Sequence, residues 1–208
     1  IGEGAVTPMT YYYMGCYEDA AKTSSLYCFP NRAEAVIALE AAKKRNPNGA
    51  KAPYYLGCLF YAARQYAPAI ENWELSASLD ASFPTVWRIL ALARFNKQDC
   101  QQEALEYMEK AFRLDEDDER IFMELDQLYK RLHRPHEERL AFFEKHLELV
   151  RRRDDLVLEM ITLQNQTGRY EEAYHNLDNH TFHPWEGGEG KVPAQYQICR
   201  VEQATRLL

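Results

Sequence analysis

The chain has 208 residues, 46% of them hydrophobic and 12% aromatic, which is enough to bury a substantial core and excludes a disordered chain. Its 25 basic and 32 acidic residues give a formal net charge of -7, which repels phosphate backbones and argues against a nucleic-acid partner. The longest weakly polar stretch, residues 52–63, is shorter than the ~20 residues that a spanning helix needs, so no membrane segment is predicted.

The cysteines and the N-terminus bear on the compartment. Five cysteines are spread widely and lack the C-x-x-C spacing of zinc or redox sites, so reduced thiols and a cytoplasmic location are predicted. The opening IGEGAVTPMT lacks a basic start followed by an apolar stretch and does not resemble a secretory signal. Residues 1–10 are therefore predicted to be an N-terminal tail.

Helical hairpins are predicted over residues 11–180. The first pairs YYYMGC with a helix that RNPNG ends, and TSSLYCFP forms a longer loop between them. The second is the clearest: Leu56 and Gly57 lie on one helix, and Tyr66, Ala69 and Trp73 lie on the next. Small residues at Gly57 and Ala69 allow two antiparallel helices to approach closely, and the large side chains fill the surrounding space.

Three further hairpins follow. One opens at Trp87 and turns over residues 96–102, and the next is interrupted at Pro135, because proline ends the first helix. In the last, TGRYEEA places Gly168 at the end of the first helix. Acidic pairs at helix starts, among them Asp154 with Asp155, are interpreted as complementing the helix dipole.

A turn-rich connector is predicted over residues 181–194, and residues 195–208 are predicted to form the first helix of a truncated further repeat. EGGEGK is not predicted to be a phosphate-binding loop, because Trp185 and Val192 occupy the positions where a Walker loop needs glycine and Ser or Thr. The array is expected to continue beyond residue 208. That helix would then expose an apolar patch formed by Ile198, Val201, Leu207 and Leu208.

On YYLGCLFYAARQYAPAIENWE and TGRYEEA, the chain resembles the tetratricopeptide repeat superfamily. The resemblance implies an all-α, right-handed α-solenoid of about five degenerate antiparallel hairpins. LYCFPNRAE, LARFNKQ, RRRDDL and FHPWEGGEGKV further resemble the repeat-bearing C-terminal region of large bacterial proteins with an uncharacterised, carbohydrate-enzyme-like N-terminal domain. This second resemblance implies a helical part that supports or oligomerises a glycan-handling enzyme.

No catalytic, cofactor-binding or metal-binding residue is predicted. The sequence has no G-x-S-x-G elbow. Pro135 separates His133 from His136, and no cysteine or carboxylate pair completes a metal site near His175, His180 and His183. The segment is therefore predicted not to be an enzyme.

A partner-binding groove is predicted on the concave face, which superhelical arrays line with the first helix of each pair. Aromatic, Arg, Lys and Asn side chains there would suit a peptide or a sugar, with hairpin packing as the alternative role. The predicted groove residues are Tyr12, Tyr54, Tyr61, Arg88, Phe95, Asn96, Lys130, Arg131 and Asn165.

The favoured function is a non-catalytic protein-protein interaction or scaffolding module. Its partner would be a protein or peptide, or another domain of the same parent protein. The first alternative is a helical accessory part of a bacterial carbohydrate-active enzyme that contributes to a glycan site. The second is a structural spacer or homo-oligomerisation element.

Overall fold

The computed structural model describes residues 7–25, 28–185 and 187–205, without the side chain of Gln203. Within these ranges all regular structure is helical, and the predicted all-α class is confirmed. The chain divides into two compact units, unit 1 up to Asp115 and unit 2 from Glu116. No helix in the described ranges has the length and apolar character needed to cross a bilayer.

Unit 1 is a set of antiparallel hairpins that pack in chain order. Helix α3 packs on α4, α4 pairs with α5, α5 packs on α6, and α6 pairs with α7. Its helices are α1 (Pro8–Met14), α2 (Tyr17–Lys22), α3 (Ala33–Arg45), α4 (Lys51–Ala62), α5 (Tyr66–Leu79), α6 (Pro84–Gln98) and α7 (Gln101–Leu114).

The predicted close approach of helices in the second hairpin is confirmed at Gly57. A Cβ atom added to Gly57 would lie 2.3 Å from Nε1 of Trp73, so only glycine leaves room for the indole ring. The same Nε1 donates a hydrogen bond to the carbonyl of Tyr54 at 3.1 Å, and Ala69 on α5 is fully buried. The pairing of α4 with α5 thus depends on the smallest side chain facing the largest.

Unit 2 continues the hairpin pattern. Helix α11 packs against α9, α12 and α13, and α12 packs against α13. Its helices are α8 (Glu119–Arg131), α9 (His136–Lys145), α10 (Leu147–Val150), α11 (Asp154–Gln166), α12 (Tyr170–Asn179) and α13 (Lys191–Thr205).

An aromatic cluster joins α8 to α9. The rings of Phe122 and Phe142 stack with centroids 4.6 Å apart, and Phe143 meets Phe122 edge-on at 5.0 Å. Asp118 begins α8 by accepting hydrogen bonds from the backbone N–H groups of Arg120 and Ile121. This N-cap satisfies two of the amides that the first turn of a helix leaves unpaired.

Several element boundaries differ from those predicted. Helix α1 begins at Pro8, within the predicted tail, because proline is favoured in the first helical turn. Helix α13 begins at Lys191, four residues before the predicted start at 195. The second helix of the hairpin interrupted at Pro135 ends at Lys145, and after His146 the chain forms the short α10. The predicted TSSLYCFP loop is non-helical where it is described, and residues 26 and 27 lie outside the described ranges.

Candidate functional site

Unit 2 contains a cavity of about 530 Å³ that is lined by α8, α11 and α13 together with Trp185 and Gly187 of the connector. Helices α8 and α11 are the first helices of successive hairpins, and the second helices, α9 and α12, contribute none of the lining residues. The cavity therefore lies on the face where repeats of this kind present their first helices.

Charged side chains dominate the polar lining of the cavity. Asp126 and Lys130 come from α8, Asp155 and Glu159 from α11, and Lys191 from the start of α13. The lining thus includes three carboxylates and two ammonium groups. The guanidinium groups that neutralise the carboxylates lie outside the lining.

Arg139 is the buried centre of an ion cluster behind the cavity, with a side chain that is 1% exposed. Its Nε and Nη2 donate to the two carboxylate oxygens of Asp126, each at 2.8 Å, and Nη2 also donates to Oε1 of Glu159 at 2.7 Å. Burial opposes the guanidinium charge, but these hydrogen bonds outweigh it and raise the pKa of Arg139. One arginine on α9 therefore positions carboxylates on both α8 and α11.

Glu159 has an asymmetric set of partners. Lys130 donates to Oε1 at 2.8 Å, and Arg139 donates to that same oxygen. Among the described residues no donor reaches Oε2. Burial alone would raise the pKa of Glu159, but the hydrogen bonds from Lys130 and Arg139 lower it, so the side chain is a carboxylate at neutral pH.

The connector that carries Trp185 is attached to the N-terminus of α11. Asp154 accepts a hydrogen bond from the backbone N–H of His183 at 2.7 Å, and its oxygens also meet the rings of His180 at 2.8 Å and His183 at 3.0 Å. Burial alone would raise the pKa of Asp154, but these hydrogen bonds lower it. Asp154 lies in the first turn of α11, as predicted for an acidic residue at a helix start, and it also fixes the connector.

Glycines shape the rest of the connector. Gly187 and Gly190 have φ angles of 78° and 74°, which side chains other than glycine rarely adopt. A Cβ atom on Gly188 would lie 2.4 Å from the indole of Trp185, so glycine is required there for close packing. The glycines of EGGEGK thus have a conformational explanation, and Glu186 of this motif lies outside the described ranges.

The predicted groove residues Tyr12, Tyr54 and Tyr61 lie in unit 1 as parts of the packed interior. Tyr12 and Tyr54 are buried, and both contact the ring of Tyr55, with centroids 6.0 and 5.0 Å away. Burial raises the pKa of Tyr12 and of Tyr54, which keeps both phenols protonated. Tyr61 is half-buried and packs against Trp73 at 5.3 Å. The burial of Tyr12 and Tyr54 fits hairpin packing, the alternative role for the predicted groove residues.

The remaining predicted groove residues lie on helices α6, α8 and α11. Arg88 and Phe95 on α6 are half-buried and Asn96 is exposed, whereas Lys130 and Arg131 are exposed on α8. Lys130 lines the cavity in unit 2.

Asn165 is buried at the junction of α11 and α13. Its Nδ2 donates to Oε1 of Gln195 at 2.9 Å, and its Oδ1 accepts from Sγ of Cys199 at 3.1 Å. At 5% exposure, its side chain joins two helices.

Trp185, Glu159 and Gln127 also line the cavity but are not among the predicted groove residues. A helical signal for Gln127 was available, because positions three and four residues apart share a helix face and Gln127 precedes the predicted groove residue Lys130 by three residues. No local pattern indicates Glu159, or Trp185, which reaches the cavity through the connector.

Two further findings concern metal ligands and the apolar patch predicted on the last helix. Within the described ranges, no group of three His, Cys, Asp or Glu side chains is arranged to hold a metal ion. Ile198 and Val201 are exposed on α13, as the spacer or dimerisation alternative predicts, whereas Leu207 and Leu208 lie outside the described residues.

No protein-family model matches the sequence. Among solved structures, the pilF protein of Pseudomonas aeruginosa is similar with a TM-score of 0.62 and 19% identity, covering 96% of this chain and 88% of that chain. A structure of MamA gives 0.55 and 17% identity over 91% and 92% of the two chains. The structure of Naa15/Naa10 bound to HypK-THB gives 0.60 and 14% identity over 96% of this chain and 28% of that chain. These likenesses confirm the predicted tetratricopeptide-like helical fold.

Proposed function

We propose that the chain is a non-catalytic protein-interaction module that binds a segment of a partner protein in the cavity of unit 2. The observation that carries the proposal is the placement of the cavity, which is lined by α8, α11 and α13. A volume of about 530 Å³ lies within the range of ligand sites in proteins and is large enough for a few residues of an extended peptide.

The lining suits a peptide. Met123 and Ala194 supply apolar surface, whereas Gln127 and Gln195 supply amide groups that can pair with a peptide backbone. The ion cluster on Arg139 fixes the charged side chains in advance, which reduces the entropy lost on binding. A cavity of this kind can bind an extended segment without reorganisation of the helices.

The comparisons support a binding function to the extent that one similar structure is that of a complex, Naa15/Naa10 bound to HypK-THB. The alternative of a carbohydrate-active enzyme receives no support from the comparisons. A partner protein, which can be another domain of the same parent protein, is therefore the occupant that we propose.

Site-specific photo-crosslinking tests this proposal. A benzophenone amino acid is placed at Gln127, an exposed residue of the cavity lining, and the protein is irradiated in a lysate of the organism that encodes it. The matched control carries the same group at Glu138, which is exposed on α9 and does not line the cavity. We expect a discrete protein adduct from position 127 and none from position 138. Adducts from position 138 alone, or from neither position, would reject the proposal.

A further inference from the structure

The charge arrangement in the cavity bears on which partner segment it accepts. The oxygen Oε2 of Glu159 has no donor among the described residues, although the side chain is only 24% exposed and is held by buried Arg139. A fixed carboxylate oxygen with a free acceptor position, partly shielded from water, is a strong site for a cationic donor.

Lys130 approaches the same carboxylate from the solvent side, at the other oxygen. Its ammonium group bonds to Oε1 of Glu159 at 2.8 Å, but 53% of the side chain is exposed. Exposed ion pairs are worth little, so a partner cation loses little by competing with Lys130. Buried Arg139, by contrast, keeps Glu159 in place while the exchange occurs.

Trp185 supplies the second element of a cation site. Its half-buried indole lines the same cavity and is held by close contact with Gly188. Tryptophan is the aromatic side chain that attracts cations most strongly, and a guanidinium group stacks on such rings while its fork donates to a carboxylate. The half-buried side chain of Met123 can cover the aliphatic stem of an arginine.

We propose that the partner segment carries an arginine whose guanidinium donates to Oε2 of Glu159 and packs against Trp185. This inference rests on the proposed function and adds a specificity to it. Lys191 also lines the cavity and adds positive charge, so an acidic partner residue is the competing hypothesis that the experiment must exclude.

A selection from a random linear peptide library displayed on phage provides the test, with the full chain as target. We expect arginine to be enriched at one position of the selected peptides. In fluorescence polarisation, replacing that arginine by its neutral analogue citrulline should weaken binding by at least ~10-fold, as loss of a charge-assisted hydrogen bond requires. This peptide-side change leaves the protein intact, so misfolding cannot produce the result.

Protein variants complete the design. Glu159→Gln and Trp185→Ala should each lower affinity, and Lys130→Met should raise it or leave it unchanged, because it removes a competing ammonium group. Selected peptides without an arginine preference, or an acidic peptide that Lys130→Met weakens, would overturn this inference and leave the proposed function standing. Failure of every selected peptide to depend on the cavity would overturn both.

Discussion

Arg139 donates two parallel hydrogen bonds to Asp126 in the interior of unit 2, each 2.8 Å long. Both side chains are almost fully buried, at 1% and 4% exposure. Removing one partner of a buried ion pair leaves the other charge without compensation, which typically costs about 3–5 kcal/mol. The pair is therefore a sensitive point for the stability of unit 2.

The Arg139→Ala variant should accordingly lower the free energy of unfolding of unit 2 by about 3–5 kcal/mol in urea titrations followed by circular dichroism. Arg151→Ala is the matched control, because Arg151 pairs with Glu148 at the surface, where both side chains are mostly exposed. It should change the unfolding midpoint very little. Equal effects of the two substitutions would contradict the buried geometry.

The change in stability on replacing Gly57 by alanine has opposite signs for two effects, helix propensity and the contact with Trp73. Helix propensity alone predicts that Gly57→Ala stabilises α4 by up to ~1 kcal/mol. The contact with Trp73 predicts instead a destabilisation of about 1–3 kcal/mol, because the new methyl group would overlap the indole. Thermal unfolding measures the sign, and the second substitution Trp73→Phe should recover part of the loss. A stabilised Gly57→Ala variant would contradict the packing of α4 on α5.

The connector should respond to acid through Asp154. Its pKa in the folded protein lies below the ordinary value of 3.8, so the stability it contributes is present above about pH 4 and is lost as the pH falls through the lowered pKa. Other carboxylates titrate in the same range, so the informative quantity is the difference between wild type and Asp154→Asn. We expect this difference in unfolding free energy to be largest at neutral pH and to shrink below pH 4. A constant difference from pH 7 to pH 3 would show that Asp154 does not contribute through its charge.

Substitution of Asn165 distinguishes a role in partner binding from a role in packing α13 on α11. Because it bonds to Gln195 and Cys199, Asn165→Ala should loosen α13 from α11. Hydrogen exchange followed by mass spectrometry should then show faster exchange in Lys191–Thr205, with Glu119–Arg131 as an internal control. Unchanged exchange in α13, together with weaker partner binding, would instead support a role of Asn165 in partner binding.

The hairpins were predictable from sequence because their determinants are local. Gly57 and Trp73 lie within one repeat, and Gly168, with a φ of 77°, ends the turn after α11 as TGRYEEA indicates. The break at Pro135 follows from the geometry of proline. Spacings of this kind fix which helices pair without any knowledge of the remainder of the chain.

The site was less predictable because its determinants are distant in sequence. Arg139 lies in HEERLAFFEK, a segment whose charges give no sign that one of them is buried. Its partners Asp126 and Glu159 are 13 and 20 residues away. Tyr12 and Tyr54 were predicted as groove residues and are buried, since aromatic side chains suit a binding surface and a core equally well.

The binding isotherm of a selected or crosslinked partner peptide tests the central claim most directly, when it is measured for wild type, Gln127→Trp and Glu138→Trp. Gln127 is exposed in the cavity lining, so an indole at that position takes up space that a peptide needs, whereas Glu138 lies on α9 outside it. We predict that Gln127→Trp weakens binding by at least ~10-fold, which corresponds to the loss of about 1.4 kcal/mol, and that Glu138→Trp binds like wild type. Equal affinity for all three proteins would contradict the assignment of the cavity in unit 2 as the binding site.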